Sequence, residues 1–216
     1  MITRAVVFDM DGVLIDSEEI WHQVRRDFVA SFGGAWTAQH QRDCMGANSA
    51  QWSRYIRHAF AAPMTEREIF DGVVAMLRNR YEADLPVIPG ARDAVLSLAE
   101  VGLSLAVASS SPLILIEFLV ERLGLAGRFQ ALVSSDAVER GKPAPDVYMH
   151  ACGQLGTQPG HAAAVEDSGN GILAAAEAGL YVIAIPSEAF PPDAAALQRA
   201  SRVLGSIEEL TPTILP

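Results

Sequence analysis

The sequence has few basic side chains, few cysteines and no long apolar run. It contains 16 Lys and Arg against 26 Asp and Glu, a formal net charge of −10, which argues against a nucleic-acid-binding face or a basic membrane-surface patch. Without an uninterrupted apolar run of about 18 residues, no membrane span is expected. Cys44 and Cys152 have no partners at metal-ligand spacing, which predicts reduced thiols. The short N-terminal apolar run leads directly into Asp9 and does not resemble a signal peptide, so we expect a cytoplasmic protein.

Lysine is the scarcest charged residue. Of the 16 basic residues, 15 are arginine and one is Lys142. The chain is otherwise typical of a folded protein, because half of its 216 residues are hydrophobic and 19% are charged. Such a composition excludes disorder and is sufficient for a full hydrophobic core. A chain that avoids lysine and keeps one raises the question of what that one lysine does.

Short apolar runs typical of buried strands alternate with helical patterns along most of the chain. The predicted strands are residues 5–8, 103–108, 131–134, 162–165, 181–185 and, more weakly, 202–204. The predicted helices between them are residues 90–101, 112–123, 145–155 and 169–178. This alternation predicts an α/β fold with a Rossmann-like parallel sheet as its core and helices on both faces.

One segment contains no convincing strand. Residues 17–87 are predicted to form consecutive helices at 18–32, 38–44, 50–60 and 65–83. Ser17 is a candidate N-cap for the first, and Thr65 with Glu68 forms a capping-box pattern at the last. We therefore predict a core of residues 1–16 and 88–216 with an inserted all-helical cap of residues 17–87. Closure of the cap over a site would require hinges near residues 16–18 and 85–89.

Polar groups follow four of the predicted strands. They are Asp9 and Asp11, the serines 109–111, Lys142, and the pair Glu166 and Asp167. Ligands bind at the carboxyl ends of strands in open parallel sheets, so we expect these groups to share one edge. Four carboxylates in one place repel one another, and a hard divalent cation such as Mg²⁺ relieves that repulsion.

Carboxylates, Mg²⁺ and a single lysine are suited to phosphoryl transfer. A carboxylate can attack phosphorus and form an aspartyl phosphate, while a metal and a cation neutralise the charge on the transferring group. Asp9 and Asp11 lie two residues apart at an extended strand end and point the same way. One can attack while the other acts as general acid and then activates water.

These motifs together resemble the haloacid dehalogenase superfamily, in the branch with a helical cap that includes β-phosphoglucomutase, phosphoglycolate phosphatase and small sugar-phosphate phosphatases. The resemblance covers essentially the whole chain and rests on residues 9–18, 107–111, 141–148 and 165–171, with 89–91 at the return from the insert. It implies that Asp9 is the nucleophile and a Mg²⁺ ligand. Asp11 would be the general acid and base and would offer the metal its backbone carbonyl.

The resemblance also implies the remaining core roles. Asp167 would be a metal ligand, and Glu166 would be a ligand or would support one. Ser109 and the Ser110 amide would bind phosphate oxygens, and Lys142 would bridge phosphate and nucleophile. True dehalogenases of this superfamily lack the second aspartate of the first motif, so Asp11 argues against that chemistry.

The cap selects the substrate in this superfamily, and the candidate substrate residues here are Trp21, Gly46, Asn48 and Ser49. Trp21 stands where β-phosphoglucomutase has a histidine, and Ser49 stands where that mutase has the arginine that binds a second phosphate. We therefore expect a phosphatase that acts on a small phosphomonoester, such as a sugar or hexitol phosphate, as a monomer or small homo-oligomer. A phosphomutase and a phosphoacceptor domain without turnover remain alternatives.

Overall fold

The computed structural model describes residues 2–44, 46–187 and 190–216. Its strands are β1 (Ala5–Phe8), β2 (Ser104–Ser109), β3 (Ala131–Ser134), β4 (Ala162–Glu166), β5 (Tyr181–Ala184) and β6 (Arg202–Val203). They form one parallel sheet in the order β3-β2-β1-β4-β5-β6. The strand order reverses between the central strands β1 and β4, which is where this architecture binds ligands.

Four helices occupy the chain between β1 and the rest of the sheet. They are α1 (Glu18–Ala30), α2 (Ala38–Cys44), α3 (Ser49–Ala59) and α4 (Glu66–Ala83). The predicted capping box is present at α4, where the Thr65 hydroxyl accepts from the Glu68 amide and the Glu68 carboxylate accepts from the Thr65 amide. A second capping box, between Asn48 and Gln51, begins α3.

The remaining helices cover both faces of the sheet. They are α5 (Ala91–Glu100), α6 (Leu113–Arg122), α7 (Asp146–Gln154), α8 (Gly169–Glu177) and the short α9 (Ala194–Leu197). Alternate residues of each strand point to opposite faces, so Phe8 packs in a cluster with residues of α5 and α6, whereas Val7 packs in one with residues of α7 and α8. The prediction of a parallel α/β sheet with helices on both faces is confirmed.

Two strands run one residue further than predicted. Ser109 ends β2 and pairs with Ser134, and Glu166 ends β4 and pairs with Ala184. Their backbones are therefore held by the sheet rather than by loops. The helix α9 was not predicted. Among the described residues, every helix is too short or too polar to cross a lipid bilayer.

The two connections between the sheet and the helical segment run side by side. The Asp16 amide donates to the Pro86 carbonyl at 2.8 Å, and the Ile88 amide donates to the Leu14 carbonyl at 3.1 Å. A third contact lies away from these connections, where the Ser49 amide at the start of α3 donates to Asp136 Oδ1 at 2.9 Å. The helical segment is thus joined to the core at its two ends and at α3, and α4 also contacts α6, where the Arg78 guanidinium carbon lies 4.8 Å from the Phe118 ring centroid.

Candidate active site

The predicted strand-end groups converge on one edge of the sheet. Asp9 follows β1, and its amide continues the ladder by donating to the Val165 carbonyl of β4 at 3.0 Å. Glu166 is the last residue of β4 and Asp167 follows it. Because β1 and β4 are neighbours, these three acids meet at the point where strand order reverses.

Asp9, Glu166 and Asp167 form a buried carboxylate cluster, with one oxygen of each within 4.8 Å of the others. Burial raises the pKa of Asp9 to about 8, and Glu166 and Asp11 add to the rise while Lys142 opposes it. Burial likewise raises the pKa of Asp167 well above its ordinary value, with Glu166 and Asp9 as further causes. Fully ionised, the three carboxylates would carry more negative charge than one lysine offsets, and their oxygen donors suit a hard divalent cation.

Lys142 reaches the cluster from the loop after β3. Its Nζ lies 2.8 Å from Asp9 Oδ1 and 2.6 Å from Glu166 Oε1. Burial disfavours its charged form, but Asp9 and Glu166 outweigh that effect and raise the pKa of the ammonium above its ordinary value. Tyr148 of α7 donates to the same Glu166 oxygen at 2.6 Å. Glu166 therefore acts as an anchor that positions Lys142 beside Asp9.

Two glycines make room for the carboxylates. A Cβ on Gly171 would lie 1.8 Å from Glu166 Oε1, and one on Gly12 would lie 2.0 Å from Asp167 Oδ2. Gly12 also has a φ of +80°, which side chains disfavour. Any larger residue at either position would displace an acid of the cluster.

The Asp11 carboxylate lies in a separate polar environment. It accepts hydrogen bonds from Trp21 Nε1 at 3.3 Å, Ser109 Oγ at 3.2 Å, Ser111 Oγ at 2.7 Å and Ser17 Oγ. The expectation that Ser17 caps α1 is wrong, because its hydroxyl makes no capping bond and donates to Asp11 instead. Asp11 thus contacts groups from the sheet edge and from α1 together.

The two carboxylates Asp9 and Asp11 face one cavity of about 480 Å³ between the sheet edge and the helical segment. Of the other residues singled out from the sequence, its wall includes Trp21, Gly46, Ser109, Ser110, Lys142 and Asp167. Glu166 lies behind this wall and is fully buried.

Two of the candidate substrate residues are not part of the cavity wall. Asn48 caps α3 through its side chain, and the Ser49 amide is bound to Asp136. Both residues therefore hold α3 in place.

Sequence reasoning missed several residues of the wall, including Glu18, Arg25 and Ser111. The sequence does contain a signal for Arg25. It lies four residues after Trp21, and residues four apart share one face of a helix, so Arg25 is expected on the same side as Trp21. Ser111 belongs to the serine run 109–111, but the sequence pattern gives it no distinct role.

Comparison with known proteins identifies the family. A family model described as haloacid dehalogenase-like hydrolase matches residues 3–179. The chain belongs to the haloacid dehalogenase-like hydrolases. Among its relatives in this family is Hexitol phosphatase B of Escherichia coli O157:H7, which is 34% identical over 212 residues, covering 96% of this chain and 94% of the relative.

Solved structures of similar proteins agree with the hydrolase fold. CbbY from Rhodobacter sphaeroides in complex with phosphate has a TM-score of 0.86 at 28% identity, covering 97% of this chain and 96% of that chain. β-Phosphoglucomutase from Clostridium difficile has a TM-score of 0.84 at 15% identity, covering 99% and 95% of the two chains, which shows a shared fold. The sequence-based assignment to this superfamily is confirmed.

Proposed function

We propose that this hydrolase is a Mg²⁺-dependent phosphatase that acts on a small phosphomonoester, a sugar or hexitol phosphate, through an aspartyl phosphate on Asp9. The observation that carries the proposal is the contact between Asp9 and the single lysine, Lys142, at the edge of a cavity that Asp11 also faces. The similarity to Hexitol phosphatase B and, at 29% identity, to the phosphorylated carbohydrates phosphatase of Thermotoga maritima supports this substrate class.

The carboxylate cluster fits a magnesium ion. We assign the Asp9 and Asp167 side chains and the Asp11 carbonyl as its ligands. Glu166 accepts five hydrogen bonds, from Lys142, Tyr148, the Asp167 amide and both the amide and hydroxyl of Ser168, so its oxygens are already engaged. It therefore supports the site rather than binding the ion directly. When bound, Mg²⁺ supplies charge neutralisation for the phosphoryl group.

In the first half-reaction an Asp9 carboxylate oxygen attacks phosphorus, and the bond from phosphorus to the sugar oxygen breaks. Lys142 holds Asp9 Oδ1 at 2.8 Å and so orients the nucleophile. Asp11 donates a proton to the leaving oxygen, which departs as an alcohol. Ser109, Ser110 and Lys142 bind the phosphoryl oxygens throughout.

In the second half-reaction water attacks the phosphorus of the aspartyl phosphate. Asp11 takes the proton of that water, the bond from phosphorus to Asp9 breaks, and inorganic phosphate and free Asp9 result. We propose that residues 17–87 act as a cap that closes over this site, pivoting on the paired connections near Asp16 and Pro86. Closure would exclude bulk water and strengthen the electrostatic interactions inside.

The test is phosphate release from p-nitrophenyl phosphate and a panel of sugar and hexitol phosphates, with and without Mg²⁺. Asp9→Asn removes the nucleophile at nearly constant shape, and we expect kcat to fall at least about 10³-fold. Asp27→Asn, at a partly exposed acid on α1 that pairs with Arg26 and Arg80, is the matched control and should retain turnover. Undiminished turnover in Asp9→Asn would refute the mechanism.

The alternatives predict different products. A phosphomutase would isomerise a hexose 1-phosphate only when a bisphosphate activator is present, and a phosphoacceptor domain would accumulate phosphorylated Asp9 without releasing phosphate. Net phosphate release that does not depend on an activator excludes both.

A further inference from the structure

Arg25 is a buried cation on the cap side of the cavity. It lies on α1, is 5% exposed and forms part of the cavity wall. Its guanidinium carbon is 4.5 Å from the ring centroid of Trp21 and 5.8 Å from that of Trp52. Its neighbour in sequence, Arg26, is exposed and paired with Asp27. Burial of a guanidinium against two indole rings is costly unless it has partners.

The protein gives Arg25 only a weak set of partners. Its Nη1 donates to the amide oxygen of Gln41 at 3.3 Å. Among the described residues, no carboxylate lies within salt-bridge distance of its guanidinium, and its buried Nε has no acceptor. Lys142, which also belongs to the cavity wall, is instead bound to two carboxylates. Arg25 is therefore a hydrogen-bond donor beside the cavity whose bonding capacity is incompletely used.

An acceptor lies on the other side of Gln41. The Gln41 amide nitrogen donates to Glu18 Oε2 at 3.4 Å, and Glu18 also belongs to the cavity wall. Glu18 and Arg25 are thus held at the two ends of one side-chain amide, and Arg25 lies against the rings of Trp21 and Trp52. A charged acceptor and a charged donor beside aromatic faces suit a carbon chain that carries hydroxyl groups, because each hydroxyl both donates and accepts.

On the basis of the proposed function, we propose that Arg25 and Glu18 bind hydroxyl groups of the substrate's carbon chain and select polyhydroxylated monophosphates. Glu18 and Asp11 give this part of the cavity negative charge that would repel a second phosphate. Arg42 also belongs to the cavity wall, but it is exposed and donates to Gln39 on its own helix. The Arg25 and Glu18 pair therefore favours neutral hydroxyls over a second anion.

The test compares a hexitol 6-phosphate with p-nitrophenyl phosphate, which has no hydroxyl-bearing chain. In Arg25→Gln and in Glu18→Gln we expect the ratio of kcat/KM for the hexitol phosphate to that for p-nitrophenyl phosphate to fall about 10- to 100-fold, the loss typical of a hydrogen bond to a charged group. A deoxy analogue that lacks the bound hydroxyl should show little further loss in Arg25→Gln. Arg26→Gln, one residue away and exposed, should leave the ratio unchanged.

Three results would overturn the proposal. The first is an unchanged ratio in both variants. The second is an equal loss on both substrates, which would indicate a structural role. The third is a wild-type preference for a sugar bisphosphate that Arg25→Gln removes, which would make Arg25 a second-phosphate site. The bisphosphate comparison is included because CbbY from Rhodobacter sphaeroides has been solved with xylulose-(1,5)bisphosphate.

Thermal melting shows whether the Arg25→Gln variant is folded. If it is not, the Glu18→Gln variant provides the test. Failure of the phosphatase proposal would instead appear as turnover in Asp9→Asn.

Discussion

Lys142→Arg, a substitution that is mild at most surfaces, is expected to inactivate this protein. The ammonium lies 2.8 Å from Asp9 and 2.6 Å from Glu166, and its side chain is 4% exposed. The Tyr148 ring centroid is 5.0 Å from Nζ and bounds the space available. An ammonium is a compact charge that fits between two carboxylates, whereas a guanidinium is a broad planar fork.

Two costs follow from that geometry. The added atoms overpack a buried site, which costs about 1–3 kcal/mol, and any guanidinium donor left without an acceptor costs about 1–3 kcal/mol more. Displacement of the nucleophile by about 1 Å is enough for a 100-fold loss of rate. We therefore expect kcat/KM to fall at least about 100-fold and the free energy of unfolding to fall by about 2–6 kcal/mol.

The assay is steady-state phosphate release together with urea denaturation. Lys142→Met removes the charge but keeps a long unbranched side chain, so it separates the effect of charge from that of shape. It leaves two buried acids without their cation and should lower the free energy of unfolding by about 3–5 kcal/mol. The control is the reverse exchange at a surface, Arg140→Lys. Arg140 is 67% exposed and paired with Asp146, so this exchange should change stability by less than about 1 kcal/mol. If Lys142→Arg retained kcat/KM within about threefold of the wild type, our reasoning about this lysine would be wrong.

Two further predictions concern the carboxylate cluster. Gly171→Ala places a methyl group 1.8 Å from Glu166 Oε1, so urea denaturation should show a loss of a few kcal/mol, while Gly153→Ala, a helical position with open space, should be neutral or stabilising. The raised pKa values of Asp9 and Asp167 mean that the folded protein binds protons more tightly than the unfolded chain. Without metal, stability should therefore fall as pH rises from about 4 to about 8, by up to about 1.4 kcal/mol per pH unit for each group. Mg²⁺ should raise the melting temperature more at pH 8 than at pH 5, and an equal rise at both would contradict this assignment.

The fold was largely predictable because local patterns and long-range packing agree. Continuous apolar runs such as Ala5–Phe8 can be satisfied only between two helical layers, and every residue of that strand is buried. The capping box at Thr65 is a local signal and located the start of α4 to within one residue. The ends of β2 and β4 were predicted one residue too early. Ser109 and Glu166 are polar, yet they continue these strands into the site.

The site was most predictable where it is built from strand ends. Asp9, Asp11 and Asp167 follow from topology, because parallel strands bring their carboxyl ends to one edge. The part of the site formed by the helical segment depends on how helices pack, and sequence spacing does not determine which helix face turns to the core. Asn48 and Ser49 were therefore expected in the cavity but hold α3, whereas Arg25 was overlooked.

Among the described residues, Lys142 and Arg25 are the buried cations, and both belong to the wall of one cavity. Their surroundings differ in the way that their proposed roles require. Lys142 is held by Asp9, the proposed nucleophile, and by Glu166, so its position is set before substrate arrives. Within the part of the chain that the structure describes, Arg25 makes its one side-chain hydrogen bond to a neutral amide, so part of its donor capacity remains for a ligand. The scarcity of lysine in the sequence singles out Lys142. Arg25 is distinguished from the other 14 arginines only by its burial without a counter-charge.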